Sequence, residues 1–130
     1  MGSRHRVGPY GPASDAVIFA AQQAAIYRTK LGRAWAAAAT GSPCAHACIS
    51  LIALCNMIEG LWAEGRESFS APDSANVRYL QATLAAVPAL SPLYATAQNV
   101  IALSDSFCEE QAWTRSHSAK PTSLPTAART

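Results

Sequence analysis

Residues 43–65 read PCAHACISLIALCNMIEGLWAEG, the most apolar run of the chain and the home of three of its four cysteines. Ser42-Pro43 opens it as a helix: a serine accepts from orphan N–H groups, and proline at the first helical position loses no hydrogen bond. Ile49, Leu51, Ile52, Leu54, Cys55, Met57, Ile58, Leu61 and Trp62 make the run apolar on nearly every side. A helix of that kind is covered by neighbours on more than one face. A membrane span is the rival reading, since no Asp, Glu, Lys or Arg lies between Arg33 and Glu59. Thr40-Gly41-Ser42-Pro43 interrupts that stretch, and the uncharged helix after the break is about 15 residues against the roughly 20 that a bilayer needs. The reading is therefore a buried core helix, not a transmembrane one.

The chain of 130 residues is the size of one domain, with 50% apolar residues, 14% charged and a net charge of +2. That composition excludes a disordered chain. Without a basic stripe it argues against nucleic acid, whose phosphates demand clustered Lys and Arg. The low charge implies that a partner or second subunit covers part of the surface. Arg4, His5 and Arg6 followed by Gly8-Pro9 and Gly11-Pro12 do not read as a secretory signal, which on that ground points to the cytoplasm.

Outward from the central run, residues 1–13 are a Gly/Pro arm in which Pro9 and Pro12 forbid regular helix. Ser14-Asp15 caps a first helix at about 15–39, with Val17, Ala20, Ala21, Ala24, Leu31 and Trp35 at helical spacing and Ile18, Phe19, Ile26 and Tyr27 widening the stripe. The central helix takes 44–64. Asp73-Ser74 caps a third at about 74–87, with Val77, Leu80, Leu84 and Val87 on its seam, and Pro88 stops it. Ser91-Pro92 opens a fourth at about 92–114, burying Leu93, Ala97, Val100, Ile101, Phe107 and Cys108. Residues 116–130 are a Ser/Thr/Pro tail with no core of their own. No strand-period segment stands out. Short links favour antiparallel neighbours, so the expected fold is an all-α antiparallel four-helix bundle, one domain over 14–115.

Cys44, Cys48 and Cys55 fall within about 40° of one another on a helix. Thiolates on one face suit a soft metal such as Cu(I) or zinc. Zinc-type spacing is met only once, however, and cysteine is among the most buried residue types, so the preferred reading is packing, with no cofactor. His46 points away from these cysteines. Cys48 and Cys55 are about 10 Å apart along the helix, too far for a disulfide, and Cys44–Cys48 needs a distorted first turn. An antiparallel register sets Cys108 level with the loop after Gly65, which holds no cysteine; the default is a thiol outside any disulfide, with Cys55 in reserve.

Glu64, Arg66 and Glu67 cluster where the central helix ends, with Glu109 and Glu110 expected nearby. Two carboxylates suit acid–base work, but neither nucleophile nor phosphate loop accompanies them, and a solvated helix end is the preferred reading. Ser70, Ser104 and Ser106 lack the Gly-x-Ser-x-Gly context of a nucleophile. Trp35, Trp62 and Trp113 lie near helix ends, as core packing or as interface anchors.

From Cys55 onward the sequence resembles the small helical immunity proteins of the Tai and resistance-associated type, which protect bacteria against amidase effectors of type VI secretion. The residues are Cys55, Met57, Ile58 and Gly60 in CNMIEG, Phe69-Ser70-Ala71-Pro72 where the family has Phe-Cys-x-Pro, Val77, Tyr79 and Leu80, then Pro88 and Phe107-Cys108. Ser70 thus stands in place of the loop cysteine, opposite Cys108. The resemblance implies a non-enzymatic protein that plugs a cognate toxin, often as a homodimer, in the periplasm. Glu64, Arg66, Glu67 and Ser70 are candidate contacts within the Gly65–Asp73 loop, and the Val87–Pro92 turn is a second contact segment. Two other classes compete with this one: a structural subunit of a larger assembly, and a cysteine-based metal or redox protein.

Overall fold

Three of the four helices begin with the same local device. In the computed structural model, which describes residues 7–8, 11–12 and 14–108, Ser14, Ser42 and Ser70 each hold extended backbone and accept, through Oγ, the N–H three residues on: Val17 (3.2 Å), Ala45 (3.1 Å) and Asp73 (3.2 Å). These caps start α1 (Asp15–Ala37), α2 (Pro43–Ala63) and α3 (Ala71–Leu84); α4 spans Tyr94–Asp105. Each serine satisfies one donor that the first turn leaves open. Asp15 and Asp73 add negative charge where the helix dipole is positive.

Two starts differ from expectation. Helix α3 begins three residues before Ser74, because Ser70 outcompetes Asp73-Ser74 as cap and Pro72 fits the first turn. Ser91-Pro92 does not open α4. Ser91 Oγ accepts from Leu93 N at 3.1 Å, Tyr94 N bonds back to the Ser91 carbonyl, and the helix starts at Tyr94 without a side-chain cap. Both C-termini come early. Ala85 and Val87 donate to carbonyls three residues back, a tight turn ahead of Pro88, and Phe107 and Cys108 do the same after α4. The expected extension to 114, with Glu109, Glu110 and Trp113, lies outside the described residues, as do the tail and most of the arm. Within the arm, Val7–Gly8 (β1) pairs antiparallel with Gly11–Pro12 (β2), a two-residue ladder that no strand period announced.

Glycine closes two of the connections. Gly65, at φ 66°, lets its own N–H reach the Trp62 carbonyl and Arg66 N reach Leu61 O, so the last turn of α2 is capped twice. Gly41, at φ 77°, is the third residue of the Ala39–Ser42 turn that reverses the chain into α2.

The result is an all-α, antiparallel four-helix bundle. Helix α2 packs on α1, most extensively, and on α3 and α4, while α4 closes against α1 and α3. Leu51, Leu54, Cys55 and Ile58 are fully buried in a core that Val17, Ala20, Ala24 and Leu31 enter from α1, Val77 and Leu84 from α3, and Ala97 and Val100 from α4. Against the expected length of about 15 residues, α2 is unbroken over 21 and is long and apolar enough to cross a bilayer. Its one Asp, Glu, Lys or Arg, Glu59, is bonded to α1.

Polar ties register the helices. Arg28 of α1 grips Glu59 of α2 with two hydrogen bonds, Nε to Oε2 at 2.6 Å and Nη2 to Oε1 at 3.1 Å, and this partner raises the arginine pKa further. Across α3 and α4, Arg78 pairs with Asp105 and also donates to Gln81 Oε1, while Gln81 Nε2 donates to the buried Ser104 Oγ at 3.1 Å. Ser104 Oγ in turn donates to the Ile101 carbonyl, so the buried hydroxyl is satisfied.

Candidate functional site

The bundle has two unlike ends. At one, the start of α1, the α2–α3 link and the residues after α4 converge: Glu67 Oε2 accepts from Ser14 N at 3.1 Å, and Phe69 N donates to the Phe107 carbonyl at 2.8 Å. This is the register expected for Cys108, which is buried there with its Sγ 3.9 Å from the Ser104 carbonyl. Exposed carboxylates of Asp15, Glu64, Glu67 and Asp73 surround this end, with Arg66 among them, 3.7 Å from Glu64. A cleft of about 260 Å³ opens beside them, lined by Met57, Leu61 and Phe69 below and by Glu64, Arg66 and Asp73 above.

Of the candidate contacts, then, Glu64, Arg66 and Glu67 do gather at one end. Glu67 also fixes the entry to α1, and Ser70 is a helix cap, not a loop contact. The Val87–Pro92 turn lies at the other end of the bundle, roughly 30 Å away along α2, so the two segments do not form one face. At that far end the α1–α2 turn meets the α3–α4 turn around an apolar groove of about 540 Å³, walled by Pro43, Cys44 and His46 on one side and Leu84, Val87 and Leu93 on the other. Trp35 and Ile49 border a neighbouring hollow of about 290 Å³ and are 50% and 52% exposed.

The cysteine stripe separates by depth. Cys44 is exposed and Cys48 and Cys55 are buried, and among the described residues no three His, Cys, Asp or Glu side chains stand close enough to hold a metal ion. Burial pushes the Cys55 thiol up to about 12, with Glu59 adding to the shift and Arg28 opposing it; burial and the adjacent Cys44 raise Cys48. Such thiols keep their protons in the folded chain and are poor nucleophiles. His46 is exposed, as its face implied.

The sequence reading offers Trp62 as core packing or an interface anchor and gives no sign of its unmet donor. Its indole N–H is buried with no acceptor among the described residues, beside a 200 Å³ hollow between α1 and α2 that Gln22 and Glu59 also line. An unmet buried donor costs about 1–3 kcal/mol. Trp62→Phe removes the donor together with the five-membered half of the indole, so relief of the unmet donor and loss of packing oppose each other and the variant is expected to lie within about 2 kcal/mol of the parent in urea unfolding. A loss well above that would mean that the N–H does find an acceptor.

Comparison with protein-family models, curated proteins and solved structures returns no match for this chain. Its class, a small four-helix bundle, is therefore defined by the fold alone.

Proposed function

We propose that this chain is a non-enzymatic binding protein of the immunity type, whose acidic end occludes the cleft of a cognate toxin enzyme. The observation that carries this reading is the way that end is held. A doubly capped helix terminus, the Glu67 bond to Ser14 N and the Phe69–Phe107 bond fix the loop before any partner arrives. A loop already in place loses little ordering entropy on association. Among the described residues, four exposed carboxylates against one arginine suit a basic target surface, and the Met57–Phe69 cleft accepts an apolar anchor from it.

The test is binding to, and protection against, an amidase-type toxin encoded beside the gene. Glu64→Lys and Asp73→Lys leave the caps intact, because neither side chain caps a helix; together they are expected to slow association and weaken its salt dependence. A toxin neutralised equally well by the doubly reversed variant would refute the acidic end as the contact. A structural subunit is the second reading, favoured by Phe19 and Ile26, one heptad apart on α1 and 58% and 50% exposed. An obligate subunit would self-associate in size-exclusion chromatography, and Phe19→Ser with Ile26→Ser would abolish that.

A further inference from the structure

The charges of this chain are segregated along the bundle. No Asp, Glu, Lys or Arg occurs in residues 34–58, and none in residues 79–104. The fold brings parts of these two stretches together: the last turn of α1, the first turns of α2, the end of α3 and the turn into α4 lie at the end that holds the 540 Å³ groove. From it project Trp35, Ile49 and Leu90, the last 98% exposed in the Pro88–Ser91 turn. We infer that this end seats in the interface of an anionic lipid bilayer.

Three features favour lipid over a protein groove-filler. A turn bounded by Pro88 and Pro92 presents Leu90 in a restricted conformation, so little freedom is lost when it enters an apolar phase. Trp35 and the exposed Tyr79 and Tyr94 are aromatic residues of the kind that collect at headgroup level. Below the apolar end the first charges on α1 are Arg33 and Lys30, both exposed and, among the described residues, in no ion pair. They lie four and seven residues before Ala37, about 6 and 10 Å along the axis. Insertion of roughly 5–10 Å brings both to lipid phosphates. Asp15, Glu64, Glu67 and Asp73 are at the opposite end, held away from a negative surface, which fixes the orientation. The surface used is not the acidic end, so this inference stands apart from the toxin-binding reading.

Co-sedimentation of the full chain with vesicles of phosphatidylcholine and phosphatidylglycerol in equal parts, against phosphatidylcholine alone, tests it. The chain is expected to pellet with the anionic vesicles and to be released by salt. Leu90→Asp, at a side chain that packs on nothing, is expected to retain full helical circular dichroism and lose binding. Reversing both collar charges, Lys30→Glu with Arg33→Glu, is expected to weaken binding about tenfold or more, since each basic residue near an anionic surface contributes roughly fivefold. No pelleting of the parent chain, or undiminished pelleting of Leu90→Asp, would overturn the inference. So would resistance to alkaline extraction, which would make α2 a span, or a dimer that Leu90→Asp dissociates without lipid, which would make a second copy the occupant.

Discussion

Leu54→Ala is expected to lower the unfolding free energy by about 2–5 kcal/mol, a large part of what holds a domain of this size together. Leu54 is the twelfth residue of the 21 in α2 and is fully buried in the core that all four helices build. Truncation removes its transfer free energy and leaves a cavity that a clamped bundle cannot close, because Arg28–Glu59 and Arg78–Asp105 hold the helices in register. Ile49→Ala on the same helix is the control. That side chain is half exposed, and its loss is expected to cost under about 1 kcal/mol. Urea unfolding of both variants decides the matter. Equal costs would mean that α2 is not walled in by the other three helices, and the four-helix core would have to be abandoned.

The second large effect is a loss of stability at alkaline pH. The Cys55 thiol ionises near 9.0 when unfolded and at about 12 in the fold. Below pH 9 both states hold the proton and the contribution is fully present. Above it the unfolded chain ionises while the folded one does not, so stability falls as pH rises toward 12. One pKa unit is about 1.4 kcal/mol, so the loss is about 1.4 kcal/mol at pH 10 and approaches about 4 kcal/mol near pH 12. Cys55→Ala removes the group, and the difference between the two stability–pH curves isolates it from tyrosine and lysine titration. The same burial governs reactivity: at pH 8 iodoacetamide is expected to modify the exposed Cys44 in the native protein, whereas Cys55 has a thiolate fraction about a thousandfold below that of a thiol ionising at 9.0 and reacts correspondingly slowly. Rapid native alkylation of Cys55, or identical pH curves, would show that the thiol is not sealed in the core.

The cysteines also illustrate what periodicity conveys. Their spacing correctly places all three on one side of α2, yet one side of a helix changes environment along its length. Cys44 sits in the first turn, at the mouth of the groove, whereas Cys48 and Cys55 lie further in, under α1 and its neighbours. Angle around a helix is local and legible; depth along it depends on what the next helix covers. Trp35 makes the same point, since its helical phase marked it as core and its position in the last turn of α1 leaves it half exposed.

Helix number, their serine starts at 14 and 42, the buried stripe of α4 and the antiparallel register that levels Cys108 with the α2–α3 link are all determined by the sequence itself, because each rests on local hydrogen bonding, helical spacing or rise per residue. Tertiary structure alone decided that Glu67 reaches Ser14, and that two charge-free stretches 20 residues apart in the chain meet at one end while the carboxylates gather at the other. Those outcomes hang on distances between segments far apart in sequence. No local propensity measures such distances; they are set when four apolar faces pack against one another and the polar ends must find partners where the packing leaves them.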